Sequence, residues 1–203
     1  ISFKLGRIKI QSNSGKSNII AGGCDDIYST DGGCSDFTPE ISIDDIKIHD
    51  NEDILILSKD SNTSINAMDA YDNAGKTSGV SLGYVGGNST YFYLRNSKIR
   101  NNVNAGIGTY GGDIIEIDGL EFSRNTITKL GEISSIFFDS PEVLVRNSRF
   151  EGNIISKPLI YFEQGSLKFV NSKIQETQFQ GHNPIYGADL HGTLFFTTDQ
   201  NLQ

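Results

Sequence analysis

Six stretches of this chain align without a gap: FKLGRIKIQSN (3–13), ISIDDIKIHDN (41–51), FYLRNSKIRNN (92–102), IEIDGLEFSRN (115–125), VLVRNSRFEGN (143–153) and LKFVNSKIQET (167–177). A weaker copy is TSINAMDAYDN (63–73), and a truncated eighth begins at LFFTTDQN (194–201). The apolar residue three before the final Asn is Ile10, Ile48, Ala70, Ile99, Phe122, Phe150 or Ile174, and only Asn201 breaks the series. Five residues before it sit Leu5, Ile43, Ile65, Leu94, Ile117, Val145, Phe169 and Phe196, all apolar. Seven residues before it sit Phe3, Ile41, Phe92, Ile115, Val143, Leu167 and Leu194, with Thr63 the one exception. Three residues after it sit Asn13, Asn51, Asn73, Asn102, Asn125 and Asn153, then Thr177. Asn is 17 of 203 residues, so six Asn in seven copies is register and not composition.

Each copy opens with alternation at two-residue spacing, the mark of a strand with one face buried. Turn residues such as Asn-Ser or Asp-Gly then break the parity, and a second short strand carries the reference residue. A third apolar run follows at Ile54–Ile56, Val80–Leu82, Ile136–Phe138 and Ile160–Phe162. Three short strands and three bends in about 25 residues make one coil of a parallel β-helix. The expectation is an all-β solenoid of about eight coils, a rod of roughly 40 Å at ~4.8 Å per coil. The chain 1–203 reads as a single β-helix domain. Its first interval is longer than the rest, so 14–40 reads as a loop insertion carrying both cysteines. The repeated Asn residues read as a structural ladder whose members take the left-handed bend and share amide hydrogen bonds, and Asn96, Asn147 and Asn171 read the same way. The alternative is a leucine-rich-repeat-like solenoid, because residues 43–51 and 5–13 also fit LxxLxLxxN. That fold needs a helix or compact turn after each strand, and Ser97, Ser148 and Ser172 stand where it wants Leu.

FSRN (122–125) and FEGN (150–153) match the FxxN motif of polymorphic outer-membrane proteins and related surface adhesins. IIAGG (19–23) and YGG (110–112) are similar to their companion glycine-rich motif. The chain as a whole resembles the right-handed parallel β-helix families with a pectate-lyase-like fold. The resemblance implies an elongated, surface-exposed or secreted scaffold.

Charge narrows the function. Seventeen Lys and Arg against 25 Asp and Glu give a net charge of −8, which opposes a nucleic-acid partner. No apolar run approaches the ~18 residues of a helical span, so no membrane span is expected. The chain begins with Ile1 already in the interior pattern, which reads as a processed protein or part of a longer one. The partners expected are then copies of itself, or adjoining parts of a longer chain that cover the ends of the rod.

Candidate site residues are few. Cys24 and Cys34, in CDDIYSTDGGC, read as a local disulfide, which would place the protein outside the reducing cytosol. Asp25, Asp26 and Asp31 in that loop are weak candidate ligands for Ca²⁺; no cofactor is otherwise expected. Asn62 (NTS) and Asn88 (NST) are glycosylation sequons. Asp44 with Asp45, Asp113 with Asp118, and Asp139 with Glu142 lie in or near turns but form no paired-carboxylate register, so no catalytic residue is assigned. His49 should point outward, and His182, Asp189 and His191 share a polar loop. The reading is a non-enzymatic extracellular or cell-surface scaffold, structural or adhesive, possible as a fibre or assembly component. The alternative is a carbohydrate-active enzyme or polysaccharide-binding module using Tyr84, Tyr91, Tyr93, Tyr110 and Tyr161 on an outer face.

Overall fold

Alternation along each strand fixes which residues point inward, and the repeat fixes which of them meet. In the computed structural model the chain is an all-β parallel solenoid. The structure describes residues 2–11, 17–22, 38–74, 79–87, 89–128, 135–156, 159–179, 185–187 and 193–196. Among them there is no helix, which removes the leucine-rich-repeat alternative. The third apolar run of each coil is instead a strand of its own sheet.

Three parallel sheets enclose one core. Most coils give the first sheet two strands, as in Tyr91–Arg95 and Lys98–Arg100, with a bend at left-handed Asn96. In Ser2–Gln11 and Glu40–His49 the two merge into one long strand bent at left-handed Arg7 and Asp45. The second sheet stacks Ser17–Gly22, Ile54–Lys59, Val80–Gly86, Ala105–Gly111, Ile136–Asp139, Ile160–Phe162 and Ile185–Gly187. A small third sheet holds Thr126–Ile127, Ile154–Ile155 and Gln178–Phe179. About five complete turns form, fewer than the eight expected. The strand Ser17–Gly22 lies inside 14–40 and pairs with Ile54–Lys59, so that stretch is not all insertion.

The registers read from the sequence are those of the sheets. Leu94, Ile117, Val145 and Phe169 are successive partners, as are Ala70, Ile99, Phe122, Phe150 and Ile174. Thr63, the exception in its ladder, is fully buried, and its hydroxyl is 2.9 Å from that of Ser61. Ser58, Ser61 and Thr63 form a buried hydroxyl cluster, and the Tyr84 hydroxyl donates toward Ser61 O at 3.2 Å or Thr90 Oγ1 at 2.7 Å beside it. A buried polar group with partners costs little, whereas one without them is expensive.

Burial pushes the Tyr84 phenol up to about 12, with the nearby Asp60 and Asp113 charges acting in the same direction. The sign of the linkage follows. The folded state holds the phenolic proton more tightly than the unfolded chain, so this contribution is complete below pH 10 and is lost as pH rises toward 12. Stability of the native protein should therefore fall across that window, and Tyr84→Phe should flatten the fall. Chemical denaturation at stepped alkaline pH measures it; identical slopes for the two proteins would contradict the buried phenol.

Candidate functional site

The Asn positions form a continuous buried ladder. Asn73, Asn102 and Asn125 each direct backbone N–H and Nδ2 to the Oδ1 of the Asn in the next coil, at 2.9–3.2 Å. Asn51 does the same to Asn73. Each Nδ2 also donates back to a carbonyl of the preceding coil: Asn102 to Ala70 O, Asn125 to Ile99 O, Asn153 to Phe122 O. These Asn residues do not themselves take the left-handed bend. That conformation belongs to the residue before each of them: Asp50, Asp72, Asn101, Arg124 and Gly152. FxxN is thus a structural unit, an interior aromatic followed, after one residue, by a left-handed residue and a ladder Asn. At Asn96, Asn147 and Asn171 the expected left-handed φ is present. Ser97, Ser148 and Ser172, which follow them, are buried. Their hydroxyls accept from Met68 N, Leu120 N and Ser148 N of the preceding coil. Asn13 lies outside the described residues.

The outer face of the first sheet is charged, and its charges pair between coils. Arg146 reaches Glu116 at 2.8 Å and Asp118 at 3.1 Å, and Arg95 reaches the same Glu116 at 3.7 Å. Arg100 forks onto both oxygens of Asp69, whose hydrogen bonds raise its already high pKa. Asp44 is met by Lys4, and Glu142 by Lys168. Asp113 accepts from Ser89 N, and Asp139 accepts from Gln164. The acids singled out in the sequence are therefore distributed along the rod, and the structure does not bring them together. A surface hollow at one bend gathers Glu121, Ser123, Arg124, Glu151 and Glu176. There the Gln175 amide and Arg149 hold the Glu151 carboxyl below its usual range. Among the described residues no group of three His, Cys, Asp or Glu side chains is placed to hold a metal.

The aromatic residues separate into core and surface. Tyr84 is interior and lies outside any surface site. Tyr93 is sandwiched between Tyr91, 4.5 Å away, and the Arg95 guanidinium, 4.4 Å away. The Tyr91 hydroxyl donates to Glu40 at 2.7 Å; partial burial and that carboxylate push its phenol up to about 12. Tyr71 is sandwiched between the His49 ring at 4.8 Å and Arg100 at 4.5 Å. His49 does lie on the outward side, but Tyr71 covers it to 7% exposure, and its Nδ1 is 2.7 Å from Asp50. On the second sheet Phe137 stands between Tyr110 at 4.7 Å and Tyr161 at 5.7 Å. In all three stacks the central ring has both faces occupied by neighbours from its own chain. A sugar-binding platform presents ring faces to solvent, so these central rings serve to join neighbouring residues and coils.

Asn62 opens a strand of the first sheet, where its amide donates to Glu40 at 2.8 Å and its oxygen accepts from Tyr91 N at 3.2 Å. Cys24, Cys34, Asp25, Asp26, Asp31, Asn88, His182, Asp189 and His191 lie outside the described residues.

The second sheet has the opposite surface character. Outward positions of its five strands from Ile54–Lys59 to Ile160–Phe162 include Leu55, Leu57, Val85, Tyr110, Phe137 and Tyr161, together with three glycines. Charge enters along one border row, at Lys59, at Asp139 and at Glu163 directly after Phe162. Tyr110 is 49% exposed. Hydrophobic pattern, register and burial define the chain as a parallel β-solenoid. Comparison with protein-family models, with curated proteins and with solved structures finds no match.

Proposed function

We propose that the protein is a non-enzymatic scaffold of the cell surface or extracellular space, a rod that displays its outer faces and is continued by copies of itself or by adjoining coils. The observation that carries this reading is the use of side chains along the axis. Asn amides, Ser hydroxyls, the Tyr71 and Phe137 ring stacks and most of the opposite charges bond between successive coils, so the chemistry of the repeat is spent on length and regularity. The pectate-lyase-like resemblance and the FxxN motif belong to the same proposal. The motif's structural logic, an interior aromatic, a left-handed residue and a ladder Asn, suits any long regular coil stack. A carbohydrate-active module is the second reading, supported by the exposed Tyr110 at the end of its stack.

A panel of neutral and acidic polysaccharides, assayed with and without Ca²⁺ for cleavage products, separates the two. The scaffold reading expects no product above a heat-denatured control. Product formation that Tyr110→Ala or removal of Ca²⁺ abolishes would establish the enzyme.

A further inference from the structure

We propose that the corner of the rod between the two halves of the first sheet binds a linear acidic polysaccharide that carries one negative charge on every second sugar. This names what one displayed face takes. It rests on the scaffold reading only in that the glycan is bound and not cut, so equilibrium binding and the cleavage panel fail independently. The observation that carries it is a register row. Beyond the bend, the first outward residues of successive coils are partners along the whole length of the described sheet. Lys9, Lys47, Lys98, Arg149 and Lys173 are the cations of this row, and Asp69 and Glu121 are its anions. All five cations are exposed. In a chain of net charge −8, the row is a local reversal of the overall field.

The two acids of the row are held largely by neighbours off it. Asp69 takes the Arg100 fork, and Glu121 accepts from the Ser123 hydroxyl at 2.9 Å, with Lys98 farther away at 3.8 Å. Arg149 pairs with Glu151 of its own strand. Lys9, Lys47 and Lys173 have no ion-pair partner among the described residues. From Lys47 to Arg149 the signs alternate coil by coil, so cations recur every second coil, at ~9.6 Å. An extended pyranose chain laid along the rod advances by about one sugar per coil. A polymer with an acid on alternate sugars sets each acid over a cation and each neutral sugar over Asp69 or Glu121. A polymer charged at every unit, such as a polyuronate or a nucleic acid, also sets anions against those two carboxylates, and that repulsion selects against it. The flanks fit the same ligand. On the corner side Asn96, Asn147 and Asn171 are exposed, and their amides can serve sugar hydroxyls. On the far side the next bend carries Asp50, Asp72 and Glu176 with Arg124 among them, and these acids confine a polyanion to the row.

Isothermal titration calorimetry on the whole chain tests it. The probes are hyaluronan oligosaccharides, which alternate a uronic acid with an N-acetylhexosamine, beside polygalacturonate oligosaccharides and single-stranded DNA of matched length. Hyaluronan should bind about tenfold or more tightly than the other two, and more weakly as salt rises. Lys47→Glu should weaken that binding about tenfold, because an attraction becomes a repulsion. Lys168→Glu makes the same charge change at an outward position on the other half of the first sheet and should leave binding unchanged. Glu121→Gln should strengthen polygalacturonate binding and so narrow the preference. Circular dichroism checks that each variant is folded. The inference is overturned if hyaluronan does not bind, or if polygalacturonate or DNA binds as tightly. It is equally overturned if Lys47→Glu costs no more than Lys168→Glu, or if Glu121→Gln leaves the preference unchanged.

Discussion

Ile117→Asp should destabilise the fold by about 4 kcal/mol or more, enough to unfold a domain of ordinary stability at room temperature. Ile117 is fully buried and sits between Leu94 and Val145 in the axial ladder. A carboxylate there would lose its hydration, and its vertical neighbours Leu94 and Val145 are aliphatic on both sides. Ile117→Val removes one methylene from the same site and should cost only about 1 kcal/mol. Outward-facing Glu116, one residue away, should tolerate Gln with a change below about 1 kcal/mol, because its partners Arg95 and Arg146 are solvent-accessible. Thermal melts of the three variants check the register. Equal melting of Ile117→Asp and wild type would mean that the inward face has been assigned to the wrong residues.

Asn125→Leu carries the second large effect. The substitution is nearly isosteric, yet it strips acceptors and donors from two neighbouring coils. Asn102 loses the acceptor for both its backbone N–H and its Nδ2, Ile99 O loses the Nδ2 donor, and Asn153 Oδ1 loses one of its two donors. The backbone N–H of residue 125 itself remains, so the Asn153 oxygen keeps one of the two. With roughly 1–3 kcal/mol for each buried group left without a partner, the loss should total about 3–5 kcal/mol. Asn147→Ala is the contrasting variant. Asn147 is exposed, and it bonds Asp118 at 2.8 Å. It pays chiefly the left-handed preference of its backbone, so about 1 kcal/mol is expected. Urea denaturation of both variants measures the difference. A cost for Asn125→Leu no larger than for Asn147→Ala would remove the amide ladder from the account.

The repeat was legible because two of the three constraints on a coil are written locally. Alternation at Phe92–Leu94 or Ile115–Ile117 gives the inward face, and the recurring Asn gives the register, so partners 25 residues apart could be paired from spacing alone. Ala105–Gly111 was not legible as a strand. Gly106 and Gly108 occupy its outward positions and leave too little apolar signal, yet Val80–Gly86 beside it holds it in register. The left-handed bend lies one residue before the ladder Asn. Asn is the residue type most at ease with positive φ, but the amide is needed inside the ladder, so Asp50, Arg124 or Gly152 takes the strained position instead. The outward direction of His49 is legible from its place after a core Ile, but its burial is not, because the covering ring of Tyr71 comes from another coil. The same holds for the surface aromatics. Tyr110 and Tyr161 stand out in the sequence as tyrosines, whereas Phe137 between them reads as one more interior residue. Only the alignment of three coils turns it into the centre of a stack.

A pair of double-mutant cycles tests most directly whether coils are joined by the side-chain ladders. The first cycle combines Asn102→Ala with Asn125→Ala, whose amides are in direct contact. The second combines Asn73→Ala with Asn153→Ala, which share no hydrogen bond and have two coils of the ladder between them. Neighbours in one hydrogen-bond network should couple by about 1–2 kcal/mol, whereas separated sites should add to within about 0.5 kcal/mol. Coupling in the first cycle and additivity in the second is the result expected for a ladder in this register. Additivity in both cycles would contradict it, because residues whose losses simply add are not bonded to each other.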